Sequence, residues 1–158
     1  MSRICFIISL SVLAIFTFSA CGETITFDEQ QEIDRAIIEE YVATNNLQGE
    51  YTEQGIFYSI LEEGVGTATP NISSTILIDY VGTLLDGTEF DSSEGFPREF
   101  QLFSLIRGWQ IGLEKFKAES KGILIIPSRF AYQENGSLDG SIGPNTVIRF
   151  DIELIEFN

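Results

Sequence analysis

Three hydrophobic rhythms succeed one another along the chain. The first is an uncharged apolar run from Ile4 to Phe18, ICFIISLSVLAIFTF. It is shorter than the roughly 20 apolar residues that a membrane-spanning helix requires. With Arg3 before it and the small residues Ser19 and Ala20 behind it, the run reads as the core of a signal peptide over residues 1–20. The second rhythm is helical. In DEQQEIDRAIIEEYVA, at 28–43, the residues Ile33, Ile37 and Tyr41, with Ile38 beside them, fall on one face. Asp28 is placed to cap this helix, and acidic side chains crowd its first turn, where the helix dipole favours them. Thr44-Asn45-Asn46 ends it. The expectation is one amphipathic helix packed on the edge of a domain; at about four turns it is short for a dimerising stalk.

From Tyr51 onward the period shortens to two. Strands are predicted near 56–61, 75–85, 88–91 and 100–102, with a buried one in KGILIIPS and a last one in NTVIRFDIELIEF. In the last, Ile148, Phe150, Ile152 and Leu154 alternate with Arg149, Asp151 and Glu153, which leaves one wet face. Asp86-Gly87 is a hairpin turn signal. One segment breaks the strand pattern: SLIRGWQIGLEKF sets Trp109, Leu113 and Phe116 at i, i+4 and i+7, the stripe of a short helix. The stretch from Arg129 to Asn145 reads as a loop, and one so long in a small domain is often functional. Strands with a single mid-chain helix imply an α+β domain, an antiparallel β-sheet wrapped around a short α-helix and preceded by the N-terminal helix. The organisation expected is a signal peptide at 1–20, a tether and amphipathic helix at 21–50, and the sheet domain at 51–158.

Composition removes whole classes of chemistry. The chain contains no His, which excludes Ser-His-Asp triads, Cys-His dyads and His-ligated zinc. Its two cysteines, Cys5 and Cys21, both precede the domain, so the fold holds neither a disulfide nor a thiolate metal cluster. No cofactor is expected. A net charge of −15 repels phosphate backbones and argues against nucleic acid as a partner. Otherwise the acidic balance describes a solvated surface.

Ser19-Ala20-Cys21 resembles a bacterial lipobox, with Phe18 where Leu is usual. That resemblance implies cleavage before Cys21, lipidation of Cys21, and a membrane partner held through the lipid anchor. It places the protein in the cell envelope, facing the periplasm or on the outer membrane. An ordinary signal peptide followed by an incidental Cys is the alternative.

Four segments, in order, resemble the FKBP family, the macrolide-binding immunophilins: DYVGTLLDGTEFDSS at 79–93, LIRGWQIGLEKF at 105–116, IIPSRFAY at 125–132 and IGPNTVIRFDIEL at 142–154. Any one of them is a weak signal; their common order and spacing is a specific one. The resemblance implies a peptidyl-prolyl cis-trans isomerase that acts on proline-containing polypeptides, with macrolides as inhibitors. It also implies residue roles. Tyr80, Phe90, Trp109 and Phe150 match the aromatic walls and floor of the isomerase pocket. Leu105 and Ile106 match the apolar pair before the helix, where the Ile106 N–H donates to a bound carbonyl. Asp91 matches the acidic residue of the rim, and Tyr132 the loop tyrosine that contacts substrate. Ile142 matches an apolar residue of the loop over the pocket, and Phe100 joins Leu105 and Ile142 on the substrate-binding side. Without the resemblance, the default reading of each ring is plain core, and Asp91 reads as a turn residue. The chain departs from the family at Gln133, where Gly is common, and at Gly143, where Pro is common. It departs again at Arg98, near where an aromatic often stands; Phe96 is close enough in sequence to substitute. The alternative function is a non-catalytic chaperone or binding module using the same cleft. A small-molecule or metal carrier lacks ligand residues.

Overall fold

The structure, a computed structural model, describes residues 26–158. The apolar run, expected to form a signal peptide, and Cys21 lie outside the described residues. The first helix, α1, spans Phe27–Thr44, and its N-cap is Thr26 where the sequence suggested Asp28. The Thr26 hydroxyl accepts from the Glu29 N–H (3.3 Å) while the Glu29 carboxylate accepts from the Thr26 N–H (2.7 Å), a reciprocal capping box that satisfies two otherwise free donors. The buried face of α1 also differs from the expected one. Ile38 and Asp34 are fully buried, whereas Ile33 and Ile37 remain about 40% exposed. Hydropathy could not have found this rotation. It is held by a buried carboxylate whose partner lies far along the chain.

Among the described residues seven strands form one antiparallel sheet: β1 (Glu50–Tyr51), β2 (Phe57–Glu62), β3 (Thr75–Leu84), β4 (Glu89–Ser92), β5 (Arg98–Gln101), β6 (Ser120–Ile126) and β7 (Ile148–Phe157). Their order is β1-β2-β6-β7-β3-β4, with β5 also paired to β3. Ten-residue β3 pairs along its length with β7; on its other edge β5 meets Thr75–Ile78 and β4 meets Val81–Thr83. The Asp86-Gly87 turn joins β3 to β4 as expected, with Gly87 at φ +90°, a conformation open to glycine.

The short helix α2 (Arg107–Gly112), extended by a 3-10 turn over Leu113–Lys115, lies on one face of the sheet. Trp109, Leu113 and Phe116 are buried, the stripe that the helical spacing predicted. They meet Ile76, Ile78, Leu124, Ile126, Ile148, Ile152 and Leu154 in the main core. The approach is close because α2 presents glycines to β6. A Cβ on Gly112 would stand 2.7 Å from Leu124 Cδ1, and one on Gly108 would overlap the Ile126 side chain.

Side chains alternate across a strand, so Ile123 and Ile125 of β6 face away from α2. There they form a second core with Phe57, Val147 and Ile38, flanked by Tyr41 and Val42. The first helix therefore covers the opposite face of the sheet, where an edge position was expected. Strand β6 is covered on both faces, which accounts for its unbroken apolar run. Replacing Ile38 by Ala is expected to lower the unfolding free energy by about 2–4 kcal/mol, while Ile37→Ala costs less than about 1 kcal/mol. Chemical denaturation of the two variants checks this; equal losses would contradict the observed helix face.

Candidate active site

Strand β3 carries Tyr80 at the point where β5 has ended and β4 has not yet begun. The gap in the ladder is filled by buried Ser93. Tyr80 N–H donates to Ser93 Oγ (2.8 Å), Ser93 N–H donates to the Tyr80 carbonyl (3.0 Å), and the Ser93 hydroxyl also bonds the Asp79 carboxylate. With its backbone held on both sides, Tyr80 turns its hydroxyl to Asp91 and donates to Oδ2 at 2.8 Å. Burial, reinforced by that bond and by the Asp91 charge, pushes the Tyr80 phenol up to about 12. Tyr80 is therefore a neutral hydrogen-bond donor throughout the physiological range.

The rings gather around Trp109. Tyr80 and Phe150 stand edge-to-face with it at centroid distances of 5.1 and 5.0 Å, and Phe100 at 6.4 Å. Such arrangements place the positive edge of one ring on the negative face of another and are worth about 0.5–1.5 kcal/mol per pair beyond area burial. Phe90 packs edge-to-face on Phe150 at 5.6 Å, behind the cavity wall. Gly82 makes that pair possible, because a Cβ there would lie 2.7 Å from both rings. The Trp109 indole N–H is buried with no acceptor among the described residues.

The third wall comes from the entry to α2. Ile106 is the N-cap, and its carbonyl accepts from the N–H groups of Trp109 and Gln110. Its own N–H stands outside the helical ladder, as donors at a helix start do. Buried Gln110 reaches back and donates to the carbonyls of Leu105 (2.7 Å) and Phe103 (3.1 Å), which holds the Leu105-Ile106 pair in place. The fourth wall is the loop after β6. Tyr132 is half-buried, and burial followed by the Asp91 and Asp139 charges raises its phenol above the ordinary value. The neck of this loop is closed by Asn145 N–H on the Gln133 carbonyl (2.7 Å). Gln133 sits at φ +56°, the left-handed region where glycine is the unstrained choice. The departure from the family's Gly therefore falls on a position with a real backbone demand.

Together these elements enclose a cavity of about 110 Å³ lined by Tyr80, Asp91, Phe100, Leu105, Ile106, Trp109, Tyr132 and Phe150. That is room for about four water volumes, or one small ring. Of the expected site residues, Phe90 stands one layer back. Ile142 lies in the core beneath the loop, where its N–H donates to Ser137 Oγ (2.8 Å) and its carbonyl accepts from Ser137 N–H (2.9 Å). Phe96 does not take the place of the missing aromatic: it is 76% exposed and lines no part of the cavity. Sequence reasoning missed Ser93, Gly82 and Gln110. The signals were present in Phe-Asp-Ser-Ser, Tyr-x-Gly and the residue after Trp109, but a motif does not say which of its members holds and which of them lines.

A family model described as FKBP-type peptidyl-prolyl cis-trans isomerase matches residues 66–155. FkpA of Aeromonas hydrophila, named an FKBP-type peptidyl-prolyl cis-trans isomerase, is 41% identical over 121 residues, 74% of this chain and 44% of the relative. The outer membrane protein MIP of Legionella longbeachae is 42% identical over 103 residues, 64% of this chain and 43% of that protein. The chain thus spans less than half the length of these curated relatives. Among solved structures, a peptidyl-prolyl cis-trans isomerase from Pseudomonas syringae pv. tomato superposes with a TM-score of 0.70 at 31% identity, covering 87% of this chain and 99% of that one. FkpA from Escherichia coli superposes at 0.69 and 34% identity, covering 83% and 62%.

The Tyr80 environment has a measurable consequence. A phenol whose folded value is raised favours the neutral form in the fold. Its contribution to stability is complete below the unfolded value of about 10 and is lost as pH rises through about 12. Ultraviolet titration should show Tyr80 ionising near 12, at a lower pH in Asp91→Ala, and denaturant stability should fall over the same interval. A Tyr80 that titrates at an ordinary tyrosine value would contradict the buried bond.

Proposed function

We propose a function from one premise: this chain belongs to the family of FKBP-type peptidyl-prolyl cis-trans isomerases. The function is acceleration of cis-trans isomerisation at prolyl bonds of polypeptide substrates. The observation that carries this reading is the convergence of Tyr80, Phe100, Trp109 and Phe150 on one small apolar cavity with N–H and O–H donors near its rim.

The reaction needs no nucleophile, metal or general base. Rotation about the peptide bond is opposed by a barrier of about 18–20 kcal/mol from amide resonance. Resonance separates charge, and water stabilises the planar, polar amide. The twisted transition state has lost that polarity. An apolar cavity withdraws water's preference for the planar form and can fit the twisted geometry better than either planar isomer. Lowering the barrier by about 5–8 kcal/mol accelerates rotation roughly 10⁴–10⁶-fold. In this reading Trp109 supports the proline ring, and Tyr80, Phe100, Leu105 and Phe150 exclude water. Phe90 holds Phe150 in place. The Ile106 N–H and the Tyr132 hydroxyl position the substrate carbonyls, and Asp91 fixes Tyr80 at the rim. The same slot would admit macrolide inhibitors.

The envelope is the proposed location. A relative named as an outer membrane protein supports it, as does the Ser19-Ala20-Cys21 sequence. Lipidated Cys21 would then anchor the domain, since each buried methylene of an acyl chain contributes about 0.8 kcal/mol.

Two experiments test these assignments. In a proline-limited refolding assay with the full chain in mild detergent, Trp109→Leu and Phe90→Ala should each reduce turnover at least about tenfold while the sheet remains folded. The wild-type rate should be flat between about pH 6 and 9, because the raised phenols of Tyr80 and Tyr132 do not ionise there. Near-normal rates in both variants would defeat the site. Cys21→Ser should move the protein from the membrane to the soluble fraction, and an unchanged distribution would remove the lipid anchor from the proposal.

A further inference from the structure

Helix α1 lies before the matched segment 66–155, yet it reaches two elements that carry cavity residues. Its Tyr41 hydroxyl accepts from Arg149 Nη1 (3.0 Å), next to Phe150 on β7. Its Asp34 carboxylate, fully buried, accepts at Oδ2 from both the N–H (2.8 Å) and the hydroxyl (2.6 Å) of Ser128, which is itself 1% exposed. The other carboxylate oxygen accepts from Gln30 Nε2 (2.8 Å). Beside this contact Arg129 stacks on the rings of Phe27 (4.4 Å) and Phe130 (4.7 Å) and bonds Gln31.

Ser128 opens the turn Ser128–Phe130 that delivers Tyr132 to the cavity. Within that stretch the backbone-to-backbone hydrogen bonds are local: Phe130 N–H to Pro127 O, Ala131 N–H to Ser128 O, Gly136 N–H to Tyr132 O. Local bonds give the turn its shape but do not tie it to the sheet. Tyr132 sits between ties to α1 on one side, Ser128 to Asp34 and Arg129 to Gln31, and the bond of Asn145 to Gln133 across the neck of the loop on the other; of the α1 ties only the Ser128 one is buried. Docking α1 by itself does not call for a carboxylate here, because Ile38 already packs against the sheet. Burying a charge is costly unless hydrogen bonds compensate it, and an apolar residue would avoid that cost. What a carboxylate adds is direction: two donors of one residue converge on one oxygen.

We propose that Asp34 is a positioning residue for the cavity: by holding Ser128 it sets where the Tyr132 ring stands, so that α1 forms part of the isomerase site. The functional half of this inference rests on the isomerase reading, whereas the placement of Tyr132 does not. The test uses the full chain in detergent micelles and compares Asp34→Ala, Asp34→Asn and Ile38→Ala. Asp34→Ala should shift the Tyr132 ring resonances and lower kcat/KM on a proline tetrapeptide about tenfold at a temperature where it is folded. Asp34→Asn keeps an oxygen towards Ser128 and should stay within about threefold of wild type, with Tyr132 unshifted. Ile38→Ala loosens the same helix without touching Ser128; it should lose as much thermal stability yet keep the Tyr132 resonances and stay within about twofold in rate. Should Asp34→Ala not fold, Ser128→Ala, which deletes one of the two bonds, should still move the Tyr132 resonances. Unmoved Tyr132 resonances in Asp34→Ala, or in Ser128→Ala should that variant be needed, or an equal rate loss in Ile38→Ala, would overturn the proposal. If the wild type catalyses nothing, the isomerase reading fails on its own, and the Tyr132 resonances still decide the placement.

Discussion

The close seating of α2 on the sheet is the contact on which the remaining structure depends. The helix α2 is short for the apolar face it covers, so it must approach until side chains and backbone touch. Gly108 and Gly112 permit that approach to Ile126 and Leu124. Trp109 projects from the same turn, and the seating depth decides where its indole lies. At the observed depth it stands edge-to-face with Tyr80 and Phe150. One residue is thereby both a member of the main core and a wall of the cavity. Core packing and site geometry therefore share these ring contacts.

Around this apolar centre, buried polar side chains fix what packing leaves loose. Ser93 replaces a ladder bond at the gap in the β3 edge, Gln110 holds the entry to α2, and Asp34 holds the turn after β6. Ser93 and Asp34 satisfy backbone groups of buried residues that would otherwise go unpaired, at a cost of about 1–3 kcal/mol apiece, while Gln110 bonds the partly buried carbonyls before α2. Each also stands behind a cavity residue: Tyr80, Ile106 and Tyr132 respectively. Dispersion contacts tolerate small slides, whereas a hydrogen bond of fixed length and direction does not. Under the proposed isomerase reading, a cavity that favours a twisted amide over a planar one would benefit from that stiffness.

Much of this was legible in the chain. Alternation over 148–154 placed the buried side of β7, and the spacing of Trp109, Leu113 and Phe116 placed the inner face of α2, because both patterns follow directly from backbone periodicity. Asp86-Gly87 announced the hairpin through the left-handed demand of its glycine. The α1 face was misread for an equally physical reason. A periodicity argument scores Asp34 as solvent-facing and cannot know that Ser128, remote in sequence, supplies the compensating donors. Phe96, suggested as a stand-in for a missing aromatic, points outward because proximity in sequence does not fix side-chain direction in a loop.

For the site, the ordered motifs named the wall residues but not their layering. Phe90 and Phe150 read alike in sequence, yet one stands behind the other. The amino-acid order by itself determined the types of the main elements, the covered face of the sheet's main strands and the exclusion of His-based chemistry, since these follow from local periodicity and from which side chains exist. Only the tertiary structure decided the register of Ser93 against Tyr80, the rotation of α1 and the depth of the cavity. Those depend on distances between residues far apart in the chain, and no local pattern encodes such distances.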